Sequence, residues 1–228
     1  MVVDPHILDN AAWAALAGPQ AAWAEISGNA RRFPVDVSPF CAIADRDDPQ
    51  CWADLATLVG PSGTAVLTGS EINVPSDWEE LGGGVGKQMT GETVFGQADD
   101  DAIELGLEDA PEMLDLISRT EPGPFLPRTV ELGGYIGFRV DGALIAMAGR
   151  RLHPPGWVEI SAVCTDPAHR GKGLGGRLVM AVAAGIRAEG QVPFLHVSET
   201  NENAIKLYEK LGFTIRTQGK FKVLKAPN

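Results

Sequence analysis

Residues 159–178 join an apolar run, Glu159-Ile160-Ser161-Ala162-Val163-Cys164-Thr165, to a turn dense in glycine and cations and then to the start of a helical pattern. The chemistry such a junction offers is anion binding. The first turn of a helix carries backbone N–H groups without internal partners, and the helix dipole adds partial positive charge there. Gly171, Gly173 and Gly175 remove the Cβ atoms that would hold a pyrophosphate away from the backbone, while Arg170, Lys172 and Arg177 add cationic side chains. Gly171, Gly173 and Gly176 also satisfy G-x-G-x-x-G, a dinucleotide fingerprint. Context argues against that use. Asp166 to Arg170 separate the strand from the first glycine, and no acid for a ribose stands where about 20 further residues would put it. Leu81 to Gln88 resembles a P-loop only in passing, since Leu81 replaces its first glycine and Gln88 its magnesium-holding hydroxyl; it reads as a flexible loop.

A second pattern lies downstream: Phe194 to Ser198 as a strand, then Asn201-Glu202-Asn203-Ala204-Ile205-Lys206-Leu207-Tyr208-Glu209-Lys210-Leu211-Gly212-Phe213 as a short helix and its stop. R-x-x-G-x-G at Arg170, Gly173 and Gly175, followed by N-x-x-A-x-x-L-Y-E-K-L-G-F from Asn201, resembles the GNAT superfamily of acyl-CoA-dependent N-acetyltransferases. Residues 163–173 are similar to the branch with a V-x-T-x-P-x-x-R-G-x-G phosphate loop. The resemblance covers residues 94 to 228. It implies an α/β fold with a mixed, mostly antiparallel central sheet flanked by helices, and acetyl-CoA as cosubstrate without a metal. The implied cofactor-binding set is Val163, Cys164 and Thr165 on the strand, Arg170, Gly171, Lys172, Gly173, Leu174, Gly175 and Gly176 in the loop, and Asn201 and Asn203 beyond it. Backbone groups of Val163 and Thr165 would pair with the pantetheine arm as an added strand does, with the N–H near Val163 facing a developing oxyanion. Asn201 also suits a helix cap. Tyr208 is the implied proton donor to the departing thiolate, with a packing role as its alternative. Glu159 is the implied general base, a solvated strand-end glutamate being the other reading; His196 is the rival base. Cys164 has no base beside it and reads as structural. Direct transfer to a primary amine in a ternary complex follows, the acceptor being a small molecule or a peptide. A module that holds acyl-CoA without turnover is the alternative.

The elements that must position these groups are legible in outline. Asp9 to Ala24 suggests a helix broken at Gly18-Pro19. Phe40 to Ala44, Gln50 to Leu58 and Ala65 to Leu67 read as strand, helix, strand. Ala102 to Leu107 reads as a strand, and Ala110-Pro111 opens a helix with Met113, Leu114, Leu116 and Ile117 on one face. Asp141-Gly142 between Glu131–Val140 and Ala143–Arg150 signals a hairpin. Val158 to Thr165, the helix Gly173 to Ala188 and a last strand at Thr214 to Gln218 or Phe221 to Leu224 complete the series. The chain divides into an N-terminal α/β region, 1–93, consistent with a degenerate second copy of the same unit, and an acetyltransferase-like part, 94–228.

With 228 residues, 44% hydrophobic and 21% charged, the chain can bury a sizeable core. A net charge of −11 disfavours nucleic acid and anionic membranes as partners. Lacking a long apolar stretch or a basic, apolar leader, the sequence reads as cytoplasmic. Cys41, Cys51 and Cys164 form neither a C-x-x-C pair nor a zinc pattern, so reduced thiols are expected.

Overall fold

The computed structural model describes residues 4–228. Short strands β1 (Glu25–Ser27), β2 (Ala30–Arg32) and β3 (Cys41–Ile43) form a three-stranded antiparallel sheet, preceded by α1 (Ala11–Leu16) and followed by α2 (Pro49–Val59). Asp48 starts α2 by accepting a hydrogen bond from the Gln50 N–H, and Pro49 occupies the first turn, where its missing donor costs nothing. Next come β4 (Thr64–Gly69), β5 (Glu79–Thr90), β6 (Ile103–Glu104), α3 (Ala110–Thr120), β7 (Ile136–Val140), β8 (Ala143–Arg150) and β9 (Trp157–Thr165). The chain closes with α4 (Leu174–Ala188), β10 (Val192–Ser198), α5 (Glu202–Lys210) and β11 (Thr214–Lys225).

β4 to β11 build one eight-stranded sheet in the order β4-β11-β5-β10-β9-β8-β7-β6, antiparallel except for the β9–β10 pair. The mixed, mostly antiparallel sheet expected from the resemblance is therefore present. Strands on both sides of residue 93 share it, because β5 lies between β10 and β11. The run Leu81 to Gln88, expected as a loop, is part of β5. Glycine is a poor strand former, yet both edges of β5 are hydrogen-bonded, and its bare positions admit close neighbours. A Cβ on Gly84 would lie 2.5 Å from Phe221 Cε1, and one on Gly86 2.7 Å from the Val197 carbonyl oxygen. The helix expected over Asp9 to Ala24 is shorter, α1 being flanked by 3-10 turns at Pro5–Asn10 and Ala21–Trp23. Ala102 to Leu107 yields only the two-residue β6, while both candidate C-terminal strands merge into β11.

α4 buries Leu178, Val179, Val182 and Ile186 against Ile145, Ile160 and Leu195 of the sheet; α3 buries Met113 and Leu116 against Leu144 and Met147. Each such side chain contributes about 1.5–3 kcal/mol by leaving water. The N-terminal region is docked through its own apolar contacts. Leu8, Leu16, Phe33 and Phe40 pack with Trp157 and Phe194 of β9 and β10.

Candidate active site

β9 and β10 run in parallel only from Trp157 with Val192 to Ile160 with Leu195. From Ser161 onward β9 has no strand on its β10 side among the described residues. Its other side remains paired, Ser161 with Gly149, Cys164 with Met147 and Thr165 with Ala146. Two residues, Ala162 and Val163, stand against Ala148 in a bulge, and Ala162 holds φ = 54°, a left-handed conformation unusual for a side chain with a Cβ. A wedge thus opens between the two strands, with extended backbone N–H and C=O groups along one wall. It forms part of a cavity of about 930 Å³.

At one end of β9 the anion loop takes shape. Asp166 accepts from the Ala168 N–H at 2.8 Å and caps a short turn, after which Gly171 (φ 79°) and Gly173 (φ 76°) swing the chain into α4. Nothing lies within 4 Å of a Cβ placed on either glycine, and one on Gly175 would meet only Val163 and Thr165 at 3.8 Å. Packing within the protein does not demand glycine at these places. The cradle at the α4 N-terminus is bare and has room for an external phosphate. Arg170 lines the cavity, its Nε donating to the Thr165 carbonyl at 3.2 Å. Arg177, expected to add charge here, is instead committed to Asp99 and Asp101 at 2.6 Å each and lies over the Phe138 ring.

Across the wedge, Asn201 caps α5 by accepting from the Ala204 N–H at 3.1 Å, and with Asn203 and Tyr208 it lines the same cavity. Both sequence readings of Asn201 are therefore compatible. Tyr208 is 7% exposed, packs edge-on to Phe213, and has its hydroxyl pushed up to about 12 by burial, so it carries its proton at neutral pH. Cys164 is buried, which pushes its thiol up to about 11 and leaves it a poor nucleophile.

Glu159 is not the solvated strand-end group that was one expectation; it is fully buried. Arg151 holds it in a two-pronged pair, Nε to Oε2 at 2.9 Å and Nη2 to Oε1 at 2.7 Å, and His196 Nδ1 lies 2.6 Å from Oε1. Burial disfavours its charge, but the Arg151 guanidinium and the bond from His196 outweigh burial and hold the carboxyl well below the usual carboxylate range. A carboxylate so stabilised has little tendency to take a proton. His196 lines the cavity with its side chain 30% exposed.

Arg151, Gln88 and the N-terminal residues Leu8, Asp9 and Phe40 also face this cavity, and sequence reasoning did not find them. The Arg151–Glu159 partnership had a local signal. Arg150 pairs with Ile160 across the β8–β9 hairpin, which sets Arg151 beside Glu159. Phe40 then stacks on the Arg151 guanidinium at 4.8 Å, and Gln20 donates to the Arg151 carbonyl at 2.8 Å. Those contacts come from more than a hundred residues away and leave no local trace.

The closeness to known proteins bears on what this cavity is for. A GNAT-family protein from Novosphingobium aromaticivorans superposes with a TM-score of 0.89 at 38% identity, covering 98% of this chain and 100% of that one. The chain belongs to the GNAT family. Within it, residues 135–221 match the family model described as FR47-like protein. The N-alpha-acetyltransferase RimI of Mycobacterium tuberculosis is 38% identical over 82 residues, 35% of this chain and 51% of that protein. A mycothiol acetyltransferase of Streptosporangium roseum is 49% identical over 57 residues, 25% of this chain and 17% of that protein. The chain thus spans between about a sixth and about half the length of these two curated relatives. Among the described residues no group of histidine, cysteine and carboxylate side chains is arranged to hold a metal. No helix among them is long and apolar enough to cross a membrane.

Proposed function

We propose that this GNAT protein is an N-acetyltransferase that moves an acetyl group from acetyl-CoA to a primary amine by direct attack in a ternary complex. The observation that carries the reading is the wedge between β9 and β10, with a bare glycine cradle at one end and the His196–Glu159 pair in the same cavity as Tyr208. Acetyl-CoA supplies the activated thioester. Gly171, Gly173, Gly175 and Gly176, with Leu174, Arg170 and Lys172, hold its pyrophosphate through backbone N–H groups and charge. Val163 to Thr165 hold the arm through the backbone, assisted by Asn201 and Asn203. Nothing in this pairing requires the Cys164 side chain.

The roles of acid and base follow from protonation. Tyr208 keeps its proton and gives it to the sulfur as the C–S bond breaks. The amine forms the new N–C bond and yields a proton to His196, whose neutral ring has a lone pair to receive it. Glu159, sequestered by Arg151, acts as the positioning group that steadies the resulting imidazolium, in place of the general-base role the resemblance implied for it. Residues 94–228 carry these reacting groups, while Leu8, Asp9, Phe40 and Gln88 of residues 1–93 line the same cavity.

Calorimetric titration of the full chain with acetyl-CoA, beside NADH and ATP and with Arg170→Ala as control, tests the cosubstrate; a thiol-release assay over small amines and N-terminal peptides tests the reaction. Selective acetyl-CoA binding weakened in the control, with thiol released alongside an acetylated amine, supports the proposal. Binding without acetylation of any amine would favour a carrier or sensor of acyl-CoA, and no binding would remove the reading altogether.

A further inference from the structure

We infer that Gln88, anchored by Arg216 and Asp9, is a positioning residue that fixes His196 as the neutral tautomer with its proton on Nδ1 and its lone pair on Nε2. This rests on the reading of His196 as the proton acceptor. A guanidinium only donates and a backbone carbonyl only accepts. Gln88 Oε1 lies 2.8 Å from Arg216 Nη1, and Gln88 Nε2 lies 3.0 Å from the Leu8 carbonyl oxygen. Both contacts orient the amide the same way, with its NH2 toward His196 Nε2 at 3.1 Å. An amide nitrogen can only donate, so Nε2 must accept. On the other side of the ring, the ionised Glu159 can only accept, so the proton sits on Nδ1.

The anchoring extends outward. Asp9 Oδ1 takes a bond from Arg216 Nη2 at 2.6 Å, and Gln88 is 4% exposed, which keeps water from competing for its amide. The charged groups that bear on His196 are thus Glu159 directly, Arg151 through Glu159, and Arg216 with Asp9 through Gln88; the Phe194 ring covers it edge-on at 5.7 Å. The Nε2 lone pair rests on the Gln88 N–H until an acceptor amine substitutes its own. Once the amine proton has moved to Nε2, that N–H confronts the Gln88 N–H, and two donors facing each other favour release of the proton to solvent. Three strands and the N-terminal segment cooperate here, since Gln88 lies on β5, His196 on β10, Arg216 on β11, and Leu8 and Asp9 before α1.

The test needs no substrate. Ring-nitrogen NMR of the full chain labelled with 15N-histidine, with His196 assigned from the signals lost in His196→Gln, reports the tautomer directly. The wild-type chain at neutral pH is expected to show Nδ1 protonated and Nε2 bare. Gln88→Glu replaces the donor by an acceptor, so the ring is expected to carry both protons at the same pH. A wild-type ring protonated on Nε2 instead would overturn the inference without reliance on any variant. So would a folded Gln88→Glu protein whose ring signals match the wild type. Once an acetylated amine is in hand, Gln88→Glu is expected to lower kcat by about tenfold or more at neutral pH, with partial recovery as pH rises and KM for acetyl-CoA unchanged. If the ring signals behave as expected while His196→Gln turns over normally, it is the assignment of His196 as base that fails.

Discussion

At the scale of single residues, two groups that a sequence reading would treat as rivals stand in opposite surroundings. His196 has the exposure, while Glu159 has the burial and the ion pair. His196→Ala is expected to lower kcat/KM by about 10²–10⁴, measured by thiol release at saturating acetyl-CoA. Glu159→Gln acts on stability as well, because it leaves the Arg151 guanidinium buried without its counter-charge; urea unfolding should show a loss of about 3–5 kcal/mol. The sign with pH is set by the depressed ionisation of Glu159 in the folded state. Its contribution is complete above the ordinary glutamate value of about 4.3 and fades as pH falls below that value toward the folded one. The gap between wild type and Glu159→Gln should therefore narrow below about pH 4. Tyr208→Phe should lower kcat while leaving acetyl-CoA affinity intact, and since burial keeps the phenol protonated up to about 12, the wild-type rate should show no loss from this group through pH 9. Glu159, His196 and Tyr208 were all legible as candidates from residue type and motif. The contrast in the surroundings of the first two was not, because it comes from Arg151 and from burial.

Local rules carried much of the element-scale reading. Asp141-Gly142 does turn β7 into β8, α2 does cover Gln50 to Leu58, and the apolar face of α3 does bury Met113 and Leu116. Where the reading failed, a tertiary partner overrode local preference. β5 is a strand because β10 and β11 supply its hydrogen bonds, even though its own sequence offers glycine in place of β-branched residues. Its glycines are then requirements of packing. Gly86→Ala would press a methyl group on the Val197 carbonyl and should cost about 1–3 kcal/mol of stability, read from the urea midpoint. Gly173 is a requirement of backbone conformation. Gly173→Val forces a β-branched residue into a left-handed cap, which costs about 1–2 kcal/mol or more, and should abolish acetyl-CoA binding in the same titration that detects it for the wild type.

For the whole molecule, the N-terminal region is structural to the sheet and lines the cavity. Leu8, Asp9 and Phe40 line it, and β5 occupies the interior of the sheet. A chain of residues 94–228 alone would leave β10 and β11 with bare edges and is expected to be insoluble or molten, as dispersion in 15N–1H spectra would show. Composition and motif gave no hint of this, since pairing between strands so far apart has no periodic signature. The same strand order has a consequence for how the protein comes into being. Lys225 meets Glu79 across a separation of 146 residues. During synthesis β5 leaves the ribosome long before either strand that will flank it, and it must wait, glycine-rich and unpartnered, until the last dozen residues of the sheet arrive. Closure of the sheet is then expected late, as pairing of high contact order, and β11 also supplies part of the cavity wall. A chain stopped before β11 would lack the strand that joins β4 to β5, so its sheet would be incomplete.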